Sequence, residues 1–333
     1  MARFIGGLLF VLAIAAIAIG SAGVRYSRTP VDLPTRPFEF TVEKGTSLKA
    51  LSRKLADAGL FGEPYGFWLL GRFTGEATGI QAGRYRLDAP LSPINLLLKL
   101  NKGEVVKETI TFIEGVTFKE MREALESDPR LKVTLKGMSA VEVLKKLGAA
   151  EANPEGLFFP DTYQFAAGTS DLDLLRASYQ SMTKKLNQAW EARAEGLPYR
   201  SAYEALIMAS IIEKETGRAD ERPLIASVFV NRLRLPMRLQ TDPTVIYGMG
   251  ERFDGNIRRR DLTADTPYNT YTRDGLPPTP IAMPGLESIK AALQPAQSDK
   301  LYFVATKSGD GSHAFSRTLD EHNRAVAKYQ LGR

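Results

Sequence analysis

The segment Ala205-Leu-Ile-Met-Ala-Ser-Ile-Ile-Glu-Lys-Glu-Thr-Gly217 constrains the fold more than any other stretch of this chain. Leu206, Ile207, Ala209, Ser210, Glu213 and Gly217 recur at helical spacing, which predicts a buried helix that the rest of a domain must surround. Gly217 and the polar residues after it supply a stop. The helix thus ends in acid, base, acid, hydroxyl and glycine, at a place where water is scarce. Burial raises the pKa of a carboxyl group, and a carboxylic acid still protonated near neutrality can protonate a leaving group. The chain has two histidines and no cysteine, so acid-base chemistry falls to carboxylates.

The 333 residues suffice for about two domains, and 44% hydrophobic content allows a substantial core. The net charge of +6 is spread over 44 basic and 38 acidic residues with no long basic tract, which argues against nucleic-acid binding. It leaves room for a polyanionic or carboxylate-rich partner. The absence of cysteine excludes disulfides and thiolate metal sites. No zinc spacing, phosphate loop or nucleophile elbow is present, so no metal or cofactor is expected. His313 and His322 stand nine apart outside any metal motif and read as structural or surface residues.

Phe4 to Val24 carries no charge, and about 20 such residues can cross a hydrocarbon core. A cleaved signal peptide ending at Ile19-Gly-Ser-Ala22 is the alternative, but signal cores usually run only about 7–15 residues. The reading is a signal anchor over 4–24, with a short cytoplasmic tail (1–3) and the rest of the chain on the other side. A Pro-, Arg- and Thr-rich linker (25–37) follows.

Phe38-Glu-Phe-Thr-Val42 alternates as a strand. Ser47 is an N-cap for a helix carrying Leu48, Leu51 and Leu55. A second helix over Pro64–Arg72 and a strand over Gly83–Leu87 complete a βααβ module. Its opening, Val42-x-Lys44-Gly45-x-Ser47-Leu48, resembles a LysM repeat, a glycan-binding module; a plain spacer is the alternative. Domains are therefore expected at 38–104 and 105–333, in an α+β chain. Further helices are expected at 91–100, 118–125, 139–147, 171–194, 222–233 and 318–331, with strands at 107–112 and 301–305. Residues 239–284 have little periodicity and many aromatics, the mark of a functional loop region.

Glu213 and Glu215 point in different directions on a helix. The apolar phase of Leu206, Ala209 and Ile212 continues to Glu215 and Thr216, which turns Glu215 inward and leaves Glu213 toward solvent. A kink would reverse that choice, so Glu213 stays as the alternative acid.

Ile211-Ile-Glu-Lys-Glu-Thr216 resembles the segment of lysozyme-like lytic transglycosylases in which a buried helix closes on Glu and Ser or Thr. Glu155-Gly-Leu-Phe-Phe-Pro-Asp-Thr-Tyr163, Ala209-Ser-Ile-Ile-Glu-Lys-Glu215, Ala226-Ser-Val-Phe-Val-Asn-Arg-Leu233 and Leu239-Gln-Thr-Asp-Pro-Thr-Val-Ile-Tyr-Gly248 together resemble the endolytic murein transglycosylase, or YceG-like, family. Tyr268-Asn-Thr-Tyr271, Gly275-Leu-Pro-Pro278 and Tyr302-Phe-Val304 extend the likeness over nearly the whole chain. The resemblance implies a membrane-anchored lyase that cuts peptidoglycan strands between N-acetylmuramic acid and N-acetylglucosamine and leaves 1,6-anhydro ends. It implies a catalytic domain of lysozyme-like or YceG-like fold, an inner-membrane location with that domain on the periplasmic side, and a peptidoglycan synthase complex as neighbour. One carboxylate suffices for such chemistry because the muramoyl 6-hydroxyl is the nucleophile. Glu215 is the candidate. A non-catalytic peptidoglycan-binding scaffold is the competing reading.

Gln240, Thr241 and Asp242 form a polar run suited to sugar hydroxyls and acetamido groups. Pro243 directs Asp242 into an extended or turn conformation; alternatively Thr241 or Asp242 caps a following helix. Tyr247, Tyr268 and Tyr271 offer flat faces with polar tips for sugar contacts, and Asn269 is the polar candidate between two of them. Glu155, Asp161 and Tyr163 are expected at the floor or edge of the cleft in a structural role.

Overall fold

The computed structural model describes residues 2–332; Met1, part of the expected tail, lies outside the described residues. Helix α1 (Ala2–Arg28) runs through the apolar segment, and Phe10–Arg28 is long and apolar enough to cross a membrane. Its Phe10, Ile14, Ile17 and Ile19 side chains are exposed. The helix continues into the expected linker, whose Val31 donates its N–H to Leu91 O (3.2 Å).

The chain divides into two compact units. In the first, which takes in residues up to Thr109 together with Gln164–Gly168, β1 (Phe38–Val42) is followed by α2 (Leu48–Asp57), α3 (Tyr65–Thr74), β2 (Gly83–Leu87) and α4 (Pro93–Lys102). The two strands pair antiparallel, with Phe38 opposite Leu87 and Val42 opposite Gly83. The inward residues of β1 meet Leu51, Leu55 and Phe67 from the helices, and Phe40 stacks on Tyr85 at 5.5 Å. Ser47 caps α2 as its sequence position predicts, its Oγ accepting Ala50 N–H at 3.2 Å. The βααβ order expected for this module is the observed order.

The chain continues through β3 (Lys107–Thr111), α5 (Phe118–Ser127), α6 (Ala140–Leu147), β4 (Thr162–Ala166) and α7 (Asp171–Glu191). Then come α8 (Ala202–Glu215), α9 (Arg222–Arg234), α10 (Asp242–Met249), α11 (Arg259–Thr263), α12 (Leu286–Leu293), β5 (Tyr302–Ala305), β6 (His313–Ser316) and α13 (Leu319–Tyr329). Strand β3 pairs with β4, and β5 pairs antiparallel with β6. The architecture is mixed α+β.

The second unit is built around α8. Leu206, Met208, Ala209, Ile211 and Ile212 expose no surface, and α7, α9, α10 and α12 pack on the helix. Each such Leu, Ile or Met contributes about 1.5–3 kcal/mol of burial free energy, so this helix is the centre of the unit's core. Ser201 caps its start by accepting Glu204 N–H at 3.3 Å. At its end Thr216 turns extended (φ −146°, ψ 137°).

Several elements differ from the sequence expectation. Helix α12 has no counterpart in it, nor do strands β4 and β6. Residues 239–284 hold the helices α10 and α11 within their loops. Strand β5 is half-buried.

Candidate active site

Glu215 is the last residue of α8, half-buried at a cleft of about 470 Å³. The cleft is lined by Gln240, Thr241, Asp242 and Tyr271, and on its other walls by Arg232, Tyr302, His313 and His322. Burial pushes the Glu215 pKa up to about 7, reinforced by the Asp242 charge. The Thr241 hydroxyl, His313 and Arg232 act in the opposite direction. Thr241 Oγ1 donates a hydrogen bond to Glu215 Oε1.

Thr241 is extended (φ −118°, ψ 122°) and stands at the N-cap position of α10, but its hydroxyl serves Glu215 instead of capping the helix. Asp242 is the first residue of α10, so the extended residue expected at 242 lies one position earlier. Its Oδ1 accepts Tyr271 Oη at 2.6 Å. The polar run is pinned to the facing loop: Gln240 N–H donates to Thr270 O (3.2 Å) and Thr241 N–H to Thr270 Oγ1 (3.1 Å). Gln240 itself sits at φ +49°, in the left-handed region that non-glycine residues adopt uncommonly, and such outliers cluster at ligand-contacting segments.

The structure gives Glu213 a different environment. It does not face solvent: its side chain is as buried as the core, with Arg222 Nη2 donating to Oε1 (3.3 Å) and Gly285 N–H donating to Oε2 (2.9 Å). Lys214, between the two glutamates, is the exposed residue.

Three of the expected sugar-contacting residues lie outside this cleft. Asn269 is buried, and its Nδ2 donates to Asp261 O (3.1 Å), Leu262 O (3.1 Å) and Ala264 O (2.7 Å). Its Oδ1 accepts Tyr271 N–H at 2.9 Å, so the whole amide is spent on holding the loop. Tyr268 bonds Thr279 Oγ1 at 2.9 Å and packs edge-on against Tyr247. Tyr247 Oη donates to Glu155 Oε2 at 3.0 Å.

Glu155, Asp161 and Tyr163 are not the floor or edge of the Glu215 cleft. Glu155 is buried, accepts Phe118 N–H (3.0 Å) at the start of α5, and lines a separate cleft with Tyr247. Burial pushes its pKa up to about 7. Asp161 Oδ1 accepts Thr162 N–H at 2.7 Å, and Tyr163 Oη donates to Phe159 O at 2.8 Å.

Four cleft residues lie outside the expected site set: Arg232, Tyr302, and His313 and His322, which were expected to be structural or surface residues. Arg232 is buried, donating to Leu301 O and Leu239 O (both 2.7 Å), with its guanidinium 5.2 Å from the centre of the Tyr302 ring. His322 stacks on the same Tyr302 ring, centroids 5.2 Å apart, with its buried Nδ1 unpartnered. His313 is fixed by Glu221, which accepts its N–H (3.0 Å) and meets its Nδ1 at 2.7 Å. Arg232 and Tyr302 sit inside two of the motif segments read above, which was the available signal. The histidines carried none, because β6 and α13 bring them to the cleft through tertiary packing.

A family model described as the YceG-like family matches residues 40–328. An endolytic murein transglycosylase of Bacillus subtilis (strain 168) is 33% identical over 308 residues, covering 86% of this chain and 83% of that protein. One from Streptococcus pneumoniae serotype 2 (strain D39) is 28% identical over 347 residues, covering 93% of this chain; this chain spans 62% of that longer protein. The crystal structure of a yceG-like protein from Listeria monocytogenes is 31% identical, covers 86% of this chain and 99% of its own, and superposes with a TM-score of 0.54. Nearly the whole length of the chain after its first helix is matched, and the chain belongs to the YceG-like family.

Proposed function

We propose that this protein is an endolytic murein transglycosylase that cuts glycan strands of peptidoglycan between N-acetylmuramic acid and N-acetylglucosamine with Glu215 as both acid and base. The observation that carries this reading is one half-buried carboxyl, with a pKa near 7, held by a neutral hydroxyl at a polar cleft.

Thr241 occupies Oε1 as a donor, which leaves Oε2 to carry the proton. That proton passes to the glycosidic oxygen as its bond to the muramoyl C1 breaks, and the N-acetylglucosamine leaves as an alcohol. The ionised Glu215 then takes the proton of the muramoyl 6-hydroxyl as O6 bonds to C1. The acid is restored, no water is consumed, and a 1,6-anhydro end remains. The nucleophile is part of the substrate, so its effective concentration is high without a second carboxylate. Asp242, beside Glu215, favours positive charge at C1 in the transition state, and Gln240 and Tyr271 contact sugar hydroxyls and acetamido groups.

Asp242 also supports a second reading. A muramidase hydrolase requires a second carboxylate in the cleft, and Asp242 is one. Mass spectrometry of sacculus digests separates the two, because anhydro ends are lighter than reducing ends by one water, about 18 Da. Fragments with anhydro ends support the lyase; reducing ends make the protein a hydrolase. If wild-type protein releases no fragments, only the scaffold reading survives.

Helix α1 anchors the protein in the plasma membrane, with the remainder on the extracytoplasmic side. Residues 38–104 act there as a LysM-like glycan-holding module ahead of the catalytic residues 105–333. A peptidoglycan synthase that delivers nascent strands is the neighbour this placement calls for.

A further inference from the structure

Helix α3 buries Phe67 and Gly71 in its unit and turns Tyr65, Leu69 and Phe73 outward, 56%, 41% and 86% exposed. The spacing i, i+4, i+8 places them in one stripe about 12 Å long. Single exposed apolar residues are ordinary, but three large ones aligned on a helix form a contact face.

The stripe begins where α1 ends. Tyr26, in the last turns of α1, lies against Gly66, the neighbour of Tyr65; a Cβ at Gly66 would stand 2.9 Å from Tyr26 Cζ. The apolar window of α1 runs over Phe10–Arg28, and Arg25 and Arg28 occupy its last turn. A bilayer crossed by that window therefore has its headgroup layer at the level of Tyr26, where the α3 stripe starts.

Two cations flank the stripe, and Glu63 at its start accepts the Tyr65 and Gly66 N–H groups (both 2.7 Å). Trp68 on α3 carries the Lys49 ammonium at 5.6 Å and the Arg72 guanidinium at 5.8 Å from its ring centre. Residues 25–109 hold 13 basic and nine acidic side chains. A helix with aromatic and aliphatic residues on one face and Lys or Arg beside it is the pattern of a segment seated at the boundary of headgroups and acyl chains, and such cations favour anionic lipid.

We propose that the Tyr65–Leu69–Phe73 face of α3 docks on the anionic surface of the membrane that α1 crosses, giving the first unit a second lipid contact. This rests on α1 being an anchor. The second contact fixes the tilt of the unit on the bilayer.

The chain has no cysteine, so Phe73→Cys creates a single thiol for a nitroxide label in the full-length protein. The labelled protein is reconstituted in vesicles of phosphatidylglycerol and phosphatidylethanolamine, and its collisions with oxygen and with a water-soluble nickel chelate are compared. Oxygen is expected to dominate, with the ratio falling several-fold in pure phosphatidylcholine. Leu69→Glu in the same labelled chain is expected to move the label into water with an unchanged thermal midpoint, because the residue is already exposed. Three results would overturn the proposal in protein that floats with the vesicles. They are dominance of the nickel chelate, a ratio insensitive to lipid charge or to Leu69→Glu, and dipolar broadening between labels, which would make a second copy the occupant. Protein that fails to float would remove the anchor, and the seat of α3 with it.

Discussion

Replacing Glu215 by Gln keeps the shape of the side chain and an acceptor for Thr241 Oγ1, and it removes the proton cycle. General acid-base groups contribute about 10²–10⁴ in rate, so the variant should lose at least two decades of turnover. Its stability should change in the other direction. The folded carboxyl has a pKa pushed up to about 7 by burial, against an ordinary value of 4.5. Between those values the unfolded chain has released a proton that the folded chain retains, so wild-type stability falls as pH rises through this window. The full shift corresponds to on the order of 3 kcal/mol at pH 8, reduced by whatever water reaches a half-buried group. Glutamine has no such penalty. Denaturant melts should therefore show equal stabilities at pH 4, where both carboxyl forms are neutral, and a variant more stable by about 2–3 kcal/mol at pH 8. Glu155 also titrates near 7 but is common to both proteins and cancels in the difference. A stability difference that is flat from pH 4 to 8, or an unchanged rate of glycan cleavage, would refute the assignment of Glu215 as a buried acid.

Thr241→Val removes the donor that stabilises ionised Glu215, so the pKa of the acid should rise further. The limb on which the initial rate falls with increasing pH should move to higher pH, as read from a pH–rate profile. Glu213→Gln leaves the buried Arg222 with only Glu114 at 3.8 Å, and should cost about 2–3 kcal/mol in a denaturant melt while the rate per folded molecule holds. Asn269→Ala strips the donor from three backbone carbonyls and should lower stability by about 2–4 kcal/mol, measured as a thermal shift, with glycan affinity of the folded fraction little changed.

The parts of the molecule legible in the sequence are those whose side-chain period matches their burial. Residues 38–42 and 83–87 alternate and form the paired strands β1 and β2 at the expected positions. Helix α12 escapes notice although Ile289 and Leu293 are buried at helical spacing, because it is only eight residues long and the Ser288, Ala291 and Ala292 buried beside them are small. Strand β6 has four residues and is defined by backbone bonds to β5, which no side-chain pattern encodes. Asn269 misled for a related reason. An amide between two tyrosines has the same sequence whether it meets a sugar or three carbonyls, and only the path of the loop decides between them.

The choice between the two glutamates shows where period runs out as a guide. Every residue from Ala205 to Ile212 is buried, so α8 has no outward face and its phase cannot separate positions 213 and 215. Their partners separate them. Glu213 is engaged by the buried Arg222 guanidinium and by the backbone N–H of Gly285 at the start of α12, and removing it would strand the arginine. Glu215 has a neutral hydroxyl as its direct partner and Asp242 nearby, an environment that tolerates both protonation states. A group that must give up a proton and take one back within a single turnover needs both states within reach near neutral pH. Glu215 opens on the polar cleft with that environment around it, whereas both oxygens of Glu213 are engaged by Arg222 and Gly285.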